Sequence, residues 1–267
     1  MVFDSELDFA KDLALKAGAI LIENYNNPTG IITKPDGTLV SDVDKKVAQF
    51  IVTALVKRFP KYAVLDEENP LRQTKKQTEG MWIIDPLDGT KHYLAKGRDF
   101  GVLIGLVKAG KPVLGVAYRP IIDELAYAAQ GQGAFMQTSG KTTKLEVSLS
   151  EHLSLLVSDS RQDSELTALL NSLQPSEIRK MHSAFKVVEV AKGTATAYIC
   201  SRINTMHVWD ICAPSIILEE AGGKVTDLYG KPIDYSLKET AKCRNGIIAS
   251  NQLFHNSIIK AIVPIIG

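Results

Sequence analysis

Residues 81–93 read MWIIDPLDGTKHY, and the architecture of the chain follows from them. Met81, Trp82, Ile83 and Ile84 have the composition of the end of a buried strand. Asp85 and Asp88 follow, three residues apart. Pro86 between them stiffens a turn, and Gly89 permits backbone geometry that a Cβ resists. Thr90 and Lys91 stand where a helix can begin. A strand that ends in clustered acids and opens a helix is a cation and phosphate site in miniature. Carboxylates hold hard cations through oxygen, and the N–H groups of Gly89, Thr90 and Lys91 can hold phosphate oxygens. A lone Asp-Gly turn carries little meaning, but this one comes straight off an apolar strand and has a second acidic pair, Glu67 and Glu68, upstream.

The stretch resembles the first signature of the lithium-sensitive, magnesium-dependent phosphomonoesterases. That superfamily contains the inositol monophosphatases, the 3'(2'),5'-bisphosphate nucleotidases, the fructose-1,6-bisphosphatases and some histidinol-phosphatases. Its second signature, a Trp-Asp followed by an apolar helix and a Gly-Gly, is present as Trp209 and Asp210 with ICAPSIILEEAGG over 211–223. The two occur in the family's order, and the likeness runs from about residue 34 to residue 249. The fold it implies is α/β (α+β), a five-layer α-β-α-β-α sandwich known as the sugar-phosphatase fold.

A length of 267 residues suits one large domain or two fused lobes, 1–150 carrying the DPLDGT motif and 151–267 carrying the Trp-Asp motif and substrate loops. Apolar residues make up 45%, enough for a sizeable core. The 31 basic and 30 acidic residues leave a formal charge of +1, so the composition offers no polyanion surface for a nucleic-acid polymer, and affinity for phosphate must be local. Cys200, Cys212 and Cys243 lack metal-site spacing and read as reduced thiols. No apolar core of signal length opens the sequence and no run approaches a membrane span, so a cytoplasmic protein is expected, away from the membrane.

Periodicity predicts a helix over 5–25, capped by Ser5 or Asp4, and a hairpin over 31–40 around Pro35, Asp36 and Gly37. A second helix is predicted over 41–59, capped by Ser41 or Asp42, and a strand over 62–65 that delivers Asp66, Glu67 and Glu68. Residues 69–80 read as a surface loop. Hairpin strands are expected at 101–107, 112–118, 124–128 and 131–135, with 145–147 closing the first sheet region. Beyond Ser150 the pattern alternates: strands at 153–157, 195–199, 224–227 and 246–250, and helices at 165–173, 185–192, 209–220 and 253–262.

The resemblance also assigns roles. Glu67, Asp85, the Leu87 carbonyl, Asp88 and Asp210 become ligands for two Mg²⁺ ions, with Asp85 bridging and a third, weaker ion near Glu67. Bare, four converging carboxylates would repel strongly, and an all-oxygen set favours magnesium over zinc or copper. Glu67, Thr90 and Asp44 form the catalytic set, Asp44 through the family's L-V-T-x-x-D segment, matched here by LVSDVDKKV over 39–47, and Lys34 maps to the lysine before it. The metals would acidify a water that Thr90 and Asp44 orient for in-line attack on phosphorus. Asp66, where the family has Gly or Ser, either adds charge to the cluster or faces water. His92 and His207 read as loop residues.

For the substrate, Thr90-Lys91 matches the D-G-T-K of the bisphosphate nucleotidases and of some histidinol-phosphatases, where inositol monophosphatases read D-G-T-T-N-F. The latter place a Glu seven residues before the second metal Asp, a position held here by Ile203. Ser183-Ala184-Phe185-Lys186 resembles the nucleotidases' S-S-L-K segment, and residues 157–161 resemble their S-R-S-H loop imperfectly. Ser183 and Lys186 could hold a second phosphate, although Lys186 could equally be a solvated helix lysine. With Asp88, Gly89, Thr90, Lys91 and Asp210 they form the expected substrate-binding set. The expectation is hydrolysis of adenosine 3',5'-bisphosphate to AMP and phosphate. The alternatives are an inositol-1-monophosphatase, a broader sugar-phosphate or histidinol-phosphate phosphatase, and, as a different class, a non-catalytic binding member of the fold. The partner is then a small phosphorylated metabolite, and the family implies a possible homodimer.

Overall fold

The computed structural model describes residues 3–35, 37–69, 78–158, 164–201, 206–236 and 241–266. Helix α1 (Asp4–Asn24), the hairpin β1 (Ile32–Thr33) and β2 (Leu39–Val40), and helix α2 (Asp42–Arg58) come first. Seven strands follow in spatial as well as chain order: β3 (Ala63–Asp66), β4 (Met81–Asp88), β5 (Gly101–Lys108), β6 (Lys111–Arg119), β7 (Glu124–Ala129), β8 (Ala134–Thr138) and β9 (Lys141–Leu145). The first pair is parallel and the others antiparallel. A short helix, α3 (Thr90–Leu94), leaves the end of β4. Then come β10 (Ser154–Ser158), α4 (Ser164–Leu173), β11 (Glu177–Met181), α5 (Phe185–Ala191), β12 (Ala197–Cys200), β13 (Met206–His207), α6 (Val208–Glu220), β14 (Gly223–Thr226), β15 (Lys242–Cys243), β16 (Ile247–Asn251) and α7 (Gln252–Ile266). They build a second sheet of order β11-β10-β12-β16-β14, while β13 and β15 pair by themselves.

Helices α1 and α2 cover one face of the seven-stranded sheet, α5 and α6 fill the space between the sheets, and α4 with α7 covers the far face of the five-stranded sheet. This is the α-β-α-β-α order that the sequence resemblance implies. Helix α6 is apolar around its circumference and buried from Val208 to Leu218 apart from Asp210, as a central helix must be. It lies close on the sheet because β6 presents a glycine beneath it: a Cβ on Gly115 would stand 2.4 Å from the Ala213 carbonyl oxygen.

Strand β4 departs from the expected turn. It continues through Asp85 to Asp88, with a register shift between them. Trp82 and Ile84 pack with α1 and α2, whereas Ile83 packs with α6, so Asp85 falls on the α6 face by alternation. A regular strand would send Asp88 to the opposite face. Pro86 has no N–H for the ladder, and the resulting bulge restores the alternation one residue late. Leu87 packs with the α1–α2 core, and both carboxylates face the layer that holds Asp210.

Other expectations shift. No side chain caps α1, which begins after Phe3. The strands expected at 131–135 and 145–147 are displaced, because Gly131 and Gly133 take positive φ in a turn and Ser139 with Gly140 makes a two-residue hairpin at φ 48° and 78°. Edge strand β11 and the pair β13–β15 have no counterpart in the sequence reading. Asp66 does not face water: it ends β3 and is 1% exposed. Asp36, most of the loop at 69–80, residues 159–161 and Ile203 lie outside the described residues.

Candidate active site

A cleft of about 910 Å³ opens at the end of β4, and Asp85, Asp88, Thr90, Lys91 and Asp210 are among the residues that line it. Asp85, Asp88 and Asp210 each offer an oxygen within 4.8 Å of the others. Backbone N–H groups fix the carboxylates. Leu87 N donates to Asp85 Oδ1 at 3.0 Å, Ala184 N to Asp88 Oδ2 at 2.8 Å and His207 N to Asp210 Oδ2 at 2.7 Å. The chain thus supplies one oriented acid from α6 and two from a bulged strand more than a hundred residues away.

Burial pushes all three carboxyls up. Asp85 rises well above the ordinary range by burial first and then by the charges of Glu67, Asp88 and Asp210. Asp210 behaves likewise, against the pull of the His207 N–H. Asp88 is pushed up to about 7 by burial, opposed by the Lys186 charge and the Ala184 N–H. An all-carboxylate set suits a hard divalent cation such as magnesium, calcium or manganese, and the raised carboxyls show that uncompensated charge is disfavoured there.

Glu67 lines the cleft beside this trio, and its charge helps to raise both Asp85 and Asp210. The Lys34 ammonium bridges Glu67 Oε1 and Glu68 Oε1 at 2.8 Å each. Glu68 is pushed up to about 7, by burial first, while the two glutamates hold the Lys34 ammonium charged in spite of its burial.

Asp44 sits in the first turn of α2, where its Oδ2 accepts from Ser41 N at 2.8 Å and Ser41 Oγ at 2.5 Å. Its Oδ1 accepts from Thr90 Oγ1 at 2.9 Å. Burial raises the Asp44 carboxyl, and these donors pull it back. Thr90 Oγ1 also lies 3.1 Å from the Leu87 carbonyl oxygen, so its single proton has two acceptors. Gly89 makes this turn possible. It adopts φ 84°, and a Cβ on it would stand 2.6 Å from the Asp99 carbonyl oxygen.

The model of the inositol monophosphatase family matches residues 4–266. The chain belongs to that family. Over 249 residues it is 34% identical to a 3'(2'),5'-bisphosphate nucleotidase CysQ of Buchnera aphidicola, covering 91% of this chain and 93% of the relative. Among solved structures, an inositol monophosphatase (IMPase) of Thermotoga maritima superposes with a TM-score of 0.80 at 28% identity, covering 98% of each chain. CysQ of Bacteroides thetaiotaomicron gives 0.79 at 26% identity, over 94% of this chain and 98% of that one. The protein is a phosphoric monoester hydrolase. No helix among the described residues is long and apolar enough to cross a membrane.

Within this family member, Lys186 is not a solvated helix lysine. It is 2% exposed, and its ammonium donates to the carbonyl oxygens of Met181 (3.3 Å), His182 (2.7 Å) and Ser183 (2.7 Å). An ammonium has three hydrogens, and three carbonyls take them. Burial lowers its pKa, opposed by Asp88 and Asp99. Ser183 is also engaged, its Oγ donating to Asp99 Oδ1 at 2.8 Å, while Asp99 Oδ2 accepts His182 N at 2.9 Å. Residues 181–184 are therefore a strap pinned by Asp99, Lys186 and Asp88. The sequence reading did not single out Asp99 or His182. The run S-A-F-K marks the strap, but nothing local marks an aspartate some eighty residues earlier as its anchor.

Proposed function

We propose that the chain is a Mg²⁺-dependent 3'(2'),5'-bisphosphate nucleotidase that hydrolyses adenosine 3',5'-bisphosphate to AMP and phosphate. The observation that carries this reading is the 34% identity, over 91% of this chain, to a nucleotidase of that name. Glu67, Asp85 and the Leu87 carbonyl are proposed to hold one ion, and Asp85, Asp88 and Asp210 another, with room for a third near Glu67. When bound, such cations neutralise the phosphoryl oxygens and acidify a coordinated water. Thr90 donates its hydroxyl hydrogen bond to Asp44, which leaves the hydroxyl oxygen to accept a hydrogen bond from the attacking water and orient it. Ser41 holds Asp44 as an acceptor in this arrangement. Gly89, Thr90 and Lys91 line the phosphate side of the cleft. In this reading residues 1–150 and 151–267 act as two lobes, the first contributing Asp85 and Asp88 and the second Asp210.

An inositol-1-phosphate substrate is the second reading, favoured by the likeness to the Thermotoga IMPase. A panel of adenosine 3',5'-bisphosphate, inositol-1-phosphate and p-nitrophenyl phosphate, compared by kcat/KM with magnesium present, separates the two. The nucleotidase reading expects the adenosine bisphosphate to lead by at least about tenfold. A lead for inositol-1-phosphate would reverse the assignment.

A further inference from the structure

Lys186 holds the strap through three carbonyls. The cleft offers a seat for a second phosphate on the wall formed by α3 and the strap. His92 and His182 bring their rings to a centroid distance of 3.7 Å, across ninety residues of sequence. Both line the cleft, as does the exposed Lys91 one residue before His92. His182 also lines a smaller cavity of about 230 Å³ that it shares with Asp88, Lys186 and Asp210. It therefore borders both the cleft and the smaller cavity beside the acidic cluster.

The pair is held in place from both sides. His182 N is fixed by Asp99 and its carbonyl by Lys186. His92 sits in a tight turn, where Gly97 N donates to its carbonyl at 2.7 Å and a Cβ on Gly97 would come within 3.2 Å of His92 Nδ1. One wall of the cleft is thus acidic and suited to cations, and the other carries an ammonium and two imidazoles. Imidazole and ammonium N–H groups donate hydrogen bonds to phosphate oxygens, and charge-assisted ones are the strong ones.

We infer that His92 and His182, together with Lys91, seat a second anionic group carried by the leaving alcohol, and that this pair sets the preference for bisphosphates over monophosphates. The inference deepens the nucleotidase reading and rests on it for the identity of the alcohol. A monophosphate places nothing on this wall and gains nothing from it.

The test compares kcat/KM for two matched pairs, adenosine 3',5'-bisphosphate against adenosine 3'-monophosphate and fructose 1,6-bisphosphate against fructose 1-phosphate. The enzymes are the wild type, the double variant His92→Ala/His182→Ala, and His182→Arg, which keeps a cation at the strap. In the wild type the bisphosphate leads in at least one pair. In the double variant that lead falls roughly tenfold or more, through KM, and His182→Arg retains most of it. A double variant that keeps the lead, or that loses both members of a pair in equal proportion with the ratio intact, overturns the inference. So does a wild type that prefers neither bisphosphate. A lead confined to the fructose pair defeats the nucleotidase reading alone, and the variants then decide the inference on that pair.

Discussion

Glu67 and Glu68 share the ammonium of Lys34, whereas Asp85, Asp88 and Asp210, in the same cleft, form no salt bridge among the described residues. The pair illustrates how a protein compensates clustered acids with its own side chains. Each carboxylate of the trio accepts one backbone N–H, and the charge of Lys186 acts on Asp88 and Asp210 from its place in the strap. At separations within 4.8 Å, and with an effective dielectric constant of about 20, each pair of full charges repels by roughly 3 kcal/mol or more. Three such pairs approach the whole stability of an ordinary domain. The trio, with all three carboxyls raised, therefore needs protons or cations, whereas in the pair the Lys34 ammonium already supplies one cation and Glu68 is pushed up to about 7 by its burial. The difference between the two groups is the physical basis for assigning the metal site to the aspartates.

The largest effect expected is on activity. Asp88→Asn keeps an oxygen for the Ala184 N–H but removes one charge from the trio. Activity on p-nitrophenyl phosphate should fall by roughly a thousandfold or more. The chelated protein should melt no lower than wild type, since a buried repulsion is gone. Full activity in saturating magnesium would break the contrast between trio and pair.

A change in pH should produce an intermediate effect. Asp88 titrates at about 7 in the folded chain, pushed up by burial first, against an unfolded value of about 3.9. Between these values the folded state binds more protons than the unfolded one, so stability falls as pH rises through that window. Asp85 and Asp210 are raised as well and act in the same sense. The chelated protein should therefore melt about 5 °C lower near pH 8 than near pH 5.5, and saturating magnesium should remove most of that difference. A melting temperature independent of both pH and magnesium would leave the trio without its defining property.

The smallest effect belongs to the pair. Lys34→Met leaves two mostly buried glutamates without their cation, so the chelated protein should lose about 1–3 kcal/mol, read by denaturant unfolding. Magnesium should restore part of this loss if an ion then takes the place of the ammonium near Glu67. An unchanged midpoint in the chelated variant would show that the Lys34 bridge contributes nothing and would blur the distinction between pair and trio.

The features visible in sequence were those written in short, continuous patterns. The acids of the DPLDGT run, the Trp-Asp helix, the amphipathic faces of α1 and α2 and the hairpins from Gly101 onward all repeat at the periods of their elements. The bulge at Pro86 was hidden because a proline after an acid reads as a turn; only the partner strand β5 shows that the ladder resumes at Asp88. Edge strand β11 was hidden because its residues, EIRKM, are largely exposed and carry no apolar alternation. Lys186 is not the solvated helix lysine that its sequence allowed, because it is buried against three carbonyls contributed by a strap that sequence spacing does not define. The His92–His182 contact joins positions ninety residues apart and has no local signature at all.

The central claim, that Asp85, Asp88 and Asp210 together hold divalent cations, is tested most directly by anomalous diffraction from crystals soaked in manganese, a hard ion that takes the same oxygen ligands as magnesium. The account predicts at least one strong anomalous peak within coordination distance of all three carboxylates. Manganese bound elsewhere on the molecule, with no peak between those three side chains, would contradict it.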